Sequence, residues 1–138
     1  MANEAVVIEL LGNAGDPVEY LNAGSVDITK GTLMGYGSPG YCIPITTGSA
    51  YFAGITSTDF TSGAEAGRRV ALWTHGVFDL DCGSANTMTL GVPVSTSVQG
   101  GNLVGLATNT SILDITKIVG IAQETVTAGN TGAVLVSI

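Results

Sequence analysis

Apolar positions along this chain recur at two-residue spacing, not at the three- and four-residue spacing of a helix. The most informative run is Arg69 to Cys82. One parity reads Val70, Leu72, Thr74, Gly76, Phe78, Leu80, Cys82; the other reads Arg69, Ala71, Trp73, His75, Val77, Asp79, Asp81. Such alternation turns one face of a strand to a core and the other to solvent. The run is therefore one long strand, or two strands with a bulge near His75-Gly76. The same reading predicts strands over Val6–Leu11, Val18–Leu21, Ser25–Ile28, Thr32–Tyr36, Tyr41–Ile45, Tyr51–Thr56, Arg69–Thr74, Val77–Asp81, Pro93–Ser97, Val104–Ala107, Ile118–Gln123 and Gly132–Ile138.

Between these runs lie Asn22-Ala23-Gly24, Thr29-Lys30-Gly31, Gly37-Ser38-Pro39-Gly40, Thr61-Ser62-Gly63, Gly100-Gly101 and Ala128-Gly129-Asn130. These are turn chemistry, because Gly and Asn tolerate positive φ and Pro fixes it near −65°. The best place for a helical turn is Ser57–Gly67. A short echo, Asp27-Ile28-Thr29-Lys30 against Asp114-Ile115-Thr116-Lys117, reads as two similar turns feeding two similar strands, too little for a repeat array. The expected fold is all-β: a single domain of short strands over residues 16–138. An N-terminal extended arm or edge strand with a glycine hinge covers residues 1–15.

Composition sharpens this. At 138 residues the chain is one ordinary domain. Charged residues make up 11%, against roughly 25% in a typical soluble protein, while 45% are apolar and 20 are glycine. Disorder is excluded, since it needs low hydrophobicity and high net charge. Four Lys and Arg against eleven Asp and Glu give a net charge of −7, which repels phosphate and argues against nucleic acid as partner. No apolar stretch is long enough to span a membrane as a helix, and Glu4 and Glu9 with no basic residue before them argue against a signal peptide. A surface this short of charge suits a protein covered by neighbours.

Candidate chemistry is thin. Gly35-Tyr36-Gly37-Ser38-Pro39-Gly40 fits G-x-G-x-x-G, but Pro39 and the extended Tyr41-Cys42-Ile43-Pro44 follow where a dinucleotide site needs a helix. His75, the single histidine, with Asp79 and Asp81 allows a hydrolase reading, yet no nucleophile elbow is present. Asp79-x-Asp81-x-Gly83 opens like a calcium loop but has Leu90 where the bidentate Glu belongs. Cys42 and Cys82 lie in no CxxC or Cys/His cluster; they read as buried small hydrophobes, with a disulfide as the alternative. No catalytic residue, cofactor or metal is therefore expected. Arg68-Arg69 holds half of the positive charge and is suited to ion pairs within the fold or across a subunit contact. The apolar arm residues Val6, Val7, Ile8, Leu10 and Leu11 precede Gly12-Asn13-Ala14-Gly15, a hinge. Such a strand pairs within its own sheet or reaches a neighbour's edge.

The outline built from Gly15-Asp16-Pro17-Val18-Glu19-Tyr20, Asn22 to Ile28, Ala64 to Leu80, Lys117 to Ala122, Thr127-Ala128-Gly129-Asn130 and Ala133 to Ile138 resembles the small tailed-phage capsid decoration, or head cement, proteins of the β-clip type. The resemblance covers most of residues 15 to 138. It implies a compact β-barrel-like or β-clip domain, a non-enzymatic virion structural protein that binds the outer surface of an icosahedral head as a homotrimer and stabilises the lattice. Its partners would be the major capsid protein and further copies of itself, after assembly in the host cytoplasm. It further implies that the N-terminal strand, Val6 to Leu11, contacts the capsid, with Arg68 and Arg69 left for intersubunit ion pairs. The alternative is a carbohydrate- or receptor-binding β-module of a virion fibre or spike.

Overall fold

The computed structural model describes residues 6–9, 18–22, 27–37, 39–45, 51–61, 69–82, 87–96, 104–106 and 118–137. Its elements are all strands: β1 (Val6–Glu9), β2 (Val18–Asn22), β3 (Leu33–Tyr36), β4 (Tyr41–Pro44), β5 (Phe52–Thr56), β6 (Arg69–Trp73), β7 (His75–Asp81), β8 (Pro93–Thr96), β9 (Val104–Leu106), β10 (Ile118–Ala122) and β11 (Thr131–Ser137). The all-β expectation holds. Strands β2-β4-β3-β5-β6 form a closed barrel, and β1-β7-β11-β10-β8-β9 form a six-stranded open sheet.

The long alternating run explains how the two parts join. Val70, Leu72, Gly76, Phe78, Leu80 and Cys82 are all buried, so one parity faces inward along the whole run. The chain nevertheless leaves the barrel at Thr74 and enters the sheet at His75. It is two strands, as one of the two readings has it. The break is at Thr74 with no bulge: β7 pairs with β11 in unbroken register from Thr131↔Asp81 to Ser137↔His75. Two other expectations change. Within Ser25–Ile28, the described residues contribute only an isolated bridge from Ile28 to Phe60. The described start of the expected helical turn, Ser57–Thr61, is a bend leading into that same bridge.

The barrel and the sheet are built on one ladder. Met34↔Gly54 in the barrel corresponds to Val94↔Gly120 in the sheet, and Leu33↔Ile55 to Pro93↔Ile121. Both ladders slip at the next pair, Gly35↔Phe52 and Ser95↔Ile118. Thr56↔Leu72 corresponds to Ala122↔Val134, and Val18↔Leu72 to Phe78↔Val134. The loops repeat as well. The bridge Ile28–Phe60 is matched by Met88–Val126. The Gly31 amide donates to the Thr56 carbonyl at 2.9 Å and the Gly91 amide to that of Ala122 at 2.8 Å. Ser57 N–H donates to Ala71 C=O as Gln123 N–H donates to Ala133 C=O. Strands β2 to β6 and β7 to β11 are thus two copies of one five-stranded unit. Its partner segments are not those of the four-residue sequence echo: Asp27–Lys30 corresponds to Thr87–Leu90, and Asp114–Lys117 lies outside the described residues.

Packing fixes the order of the two units. Met34, Cys42, Ala53, Val70 and Leu72 gather with Ile28 in one buried cluster, against which Phe60 packs. Leu33, Phe52 and Ile55 belong instead to the larger cluster, with Phe78, Leu80, Met88, Val94, Val119, Val134 and Val136 of the second unit. Strand β5 is consequently buried at all five positions, whereas its counterpart β10 leaves Ile118 and Ile121 half-buried. Burial of several side chains of this size, each contributing about 1.5–3 kcal/mol, makes the contact between units a continuation of the core.

Candidate functional site

The arm comes first. Val6–Glu9 forms β1 and lies antiparallel on β7 of its own chain, with Val6↔Asp79, Val7↔Phe78 and Glu9↔Val77; the register slips between Val7 and Glu9, at Ile8. As the end strand of the sheet it has β7 on one side and no strand of the described residues on the other. An end strand of this kind presents main-chain donors and acceptors to an incoming strand. Leu10 and Leu11, the rest of the candidate contact segment, lie outside the described residues.

Arg69 opens β6, and its guanidinium lies 3.6 Å from the Glu19 carboxylate on neighbouring β2. Both side chains are more than half exposed, at 68% and 55%. An exposed pair contributes about 0.2–1 kcal/mol, so Arg69 stays accessible to a further carboxylate. Arg68 lies outside the described residues.

His75 is exposed at the start of β7 and meets Ser137 across the ladder, with Nε2 3.2 Å from Oγ. Asp79 shares its face of β7 but sits four residues on, about 13 Å away at the rise of a strand. Serine and histidine touch, but the carboxylate that a triad requires beside the imidazole is not Asp79 or Asp81. Among the described residues no group of three or more His, Cys, Asp and Glu side chains is arranged to hold a metal. The glycine-rich motif is the connection of the β3–β4 hairpin: Gly40 has φ 81°, and the Gly37 amide donates to the Tyr41 carbonyl at 3.1 Å.

Cys42 and Cys82 form no disulfide and are fully buried, in different clusters. Burial pushes the Cys42 thiol up to about 11, partly offset by a backbone hydrogen bond. The Cys82 thiol donates to the Thr127 carbonyl at 3.2 Å. Both are structural side chains without the electropositive, open setting of a reactive thiol.

One surface feature escaped the sequence reading. Tyr36 and Tyr51 are 47% and 51% exposed, and they are neighbours, since the Tyr36 amide donates to the Tyr51 carbonyl at 3.0 Å. Fifteen positions separate them in sequence, and only the β3–β5 ladder joins them; the sole signal was an aromatic residue at the turn end of each strand. Residues 13–138 match the model of a protein family described as phage cement protein. No curated protein matches the chain.

Proposed function

The chain belongs to the phage cement protein family, and from that premise we propose that it decorates the outer surface of an icosahedral phage head as a homotrimer and stabilises the capsid lattice. The observation that carries this reading is the family match over residues 13–138, nearly the whole chain. The role is read as structural and non-enzymatic, as membership of a cement family suggests. The partners are the major capsid protein and further copies of this chain. A net charge of −7 disfavours contact with packaged nucleic acid and suits an outward position.

Binding operates through avidity. Each protomer makes a modest contact, and linked protomers on symmetric sites bind far more tightly than one. The segment Val6 to Leu11 supplies main-chain hydrogen bonds to a strand of the capsid protein, and Arg68 and Arg69 make ion pairs between subunits. Light scattering should give a trimer at micromolar concentration, and electron microscopy of decorated heads should place it on threefold positions. A monomer that does not bind expanded capsids would sink the reading.

The exposed Tyr36–Tyr51 pair favours a second reading, a fibre or spike module that stacks sugar rings on its aromatic faces. A glycan array without hits removes it.

A further inference from the structure

The two units share registers, bulge and loops, and they differ at one edge. In the barrel, β4 lies parallel on β2, with Leu21 opposite Tyr41 and Asn22 opposite Cys42. This pairing is what closes the ring. In the sheet, the counterpart of β2 is β7 and the counterpart of β4 is β9. Strand β9 pairs with β8 as β4 pairs with β3: Thr96↔Val104, Ser95↔Gly105 and Val94↔Leu106 match Tyr36↔Cys42, Gly35↔Ile43 and Met34↔Pro44. Beyond β8, β9 has no strand neighbour among the described residues. The edge of β7 that β9 would take carries β1, which lies outside the repeat.

We propose that β1 and β9 are alternative occupants of the edge of β7. When β1 leaves, β9 moves onto β7 in parallel and closes the second unit into a barrel, with Cys82 opposite Val104. That register is the β2–β4 pairing carried over through the repeat. The inference rests on the reading above in one respect: lending β1 to a capsid strand is what would vacate the edge.

Three observations support it. The first unit demonstrates that the shared ladder closes when its fifth strand in spatial order, β4, meets its first, β2. Among the strands, β1 makes its substantial contacts with β7 alone, so its departure removes one ladder and leaves the β7–β11 ladder in place. The third is a buried polar atom beside β9: the Thr96 hydroxyl, opposite Val104, has no hydrogen-bond partner among the described residues. Buried hydroxyls are seldom left so, and it marks the β8–β9 end as the part of the sheet with an unmet bond. Exchange of one edge strand for another keeps the main-chain groups of β7 paired, which lowers the cost of giving up β1.

The test is a disulfide trap in the full-length chain, using the native Cys82. V104C alone keeps β1 in place and stays largely reduced under mild oxidation. V104C combined with Val7→Pro, which disrupts β1 at its pairing with Phe78, links the introduced thiol to Cys82 at least about tenfold faster, the factor corresponding to 1.4 kcal/mol in favour of closure. The milder Val7→Gly accelerates linkage by less. Peptide mapping identifies the bond, and circular dichroism reports folding. A folded Val7→Pro chain that links no faster than V104C alone overturns the proposal. A Val7→Pro chain that unfolds also overturns it, because β9 would have failed to replace β1. These readouts need no capsid, so failure here leaves the decoration role standing, and failure of capsid binding leaves this exchange standing.

Discussion

The barrel β2–β6 and the sheet β7–β11 carry the same ladder with different surroundings. In the barrel, Ile55 is fully buried because the strand face it occupies lies against the second unit. Its counterpart Ile121, at the same register position, is half-buried. In the barrel the edge of the first strand is taken by β4, and in the sheet by β1. One ladder therefore gives two topologies, depending on what covers its outer face and which strand reaches its edge first. A strand edge is a set of unpaired donors and acceptors with no preference of its own for sequence-near or sequence-distant partners.

The strongest challenge to this equivalence is the shared bulge glycine. A β-carbon on Gly120 would run into the Leu135 carbonyl oxygen, and one on Gly54 would sit 2.8 Å from Leu72 Cβ at a φ of +154°. Gly120→Ala is expected to cost about 4 kcal/mol or to prevent folding, since the obstacle is backbone. Gly54→Ala should cost a comparable amount, since Leu72 Cβ cannot swing away and the Trp73 carbonyl oxygen lies at 2.9 Å. Urea denaturation checks both; a harmless Gly120→Ala would break the comparison.

Packing comes next. Ile55→Ala should destabilise by about 3 kcal/mol and Ile121→Ala by about 1 kcal/mol, because only the first leaves a closed cavity. Equal losses by thermal melting would mean that the outer faces of the two units are equally covered.

The closing strand of the barrel gives a pH signature. Cys42, with its thiol pushed up to about 11 in the fold, stays protonated where the unfolded chain would ionise near 9. The native state then holds the extra proton, so stability is constant below pH 9 and falls by about 2 kcal/mol between pH 9 and 11. Cys42→Ala should flatten that part of the profile, as measured by denaturation at each pH.

Smaller effects test the matching turns. The Lys30 amide donates to the Asp59 carboxylate at 2.6 Å, and the Leu90 amide to the Thr125 hydroxyl at 3.1 Å. Asp59→Ala should cost about 1.5 kcal/mol and Thr125→Ala about 0.7 kcal/mol, the charged acceptor being the stronger. The smallest effect belongs to Arg69→Ala, within about 0.5 kcal/mol for the isolated chain because its pair with Glu19 is exposed. Light scattering of that variant should show a lower oligomer mass if Arg69 makes the proposed ion pair between subunits, and an unchanged mass would remove it from the contact.

Strand positions were legible because alternation is a local property: each apolar parity, Val70 to Cys82 above all, records which face a strand turns inward. The turn residues Gly31 and Gly129, with φ 85° and 82°, were legible for the same reason in their glycine identity. The internal repeat was not. Its two copies share geometry at positions as different as Lys30 and Leu90 or Thr56 and Ala122, while the segments that share letters, Asp27–Lys30 and Asp114–Lys117, are not its counterparts. A ladder is specified by main-chain bonds and parity, which many residue combinations satisfy.

By itself, then, the sequence determined that this chain is all strand and turn and short of charge, since these follow from parity and composition. Tertiary structure alone decided that the strands form two copies of one unit and that the run through Thr74 passes from one to the other. It also decided that Tyr36 meets Tyr51 and that β1 holds the edge of β7. Each of these is a choice of partner among interchangeable strand edges, and that choice depends on which edges and faces the rest of the fold has already covered.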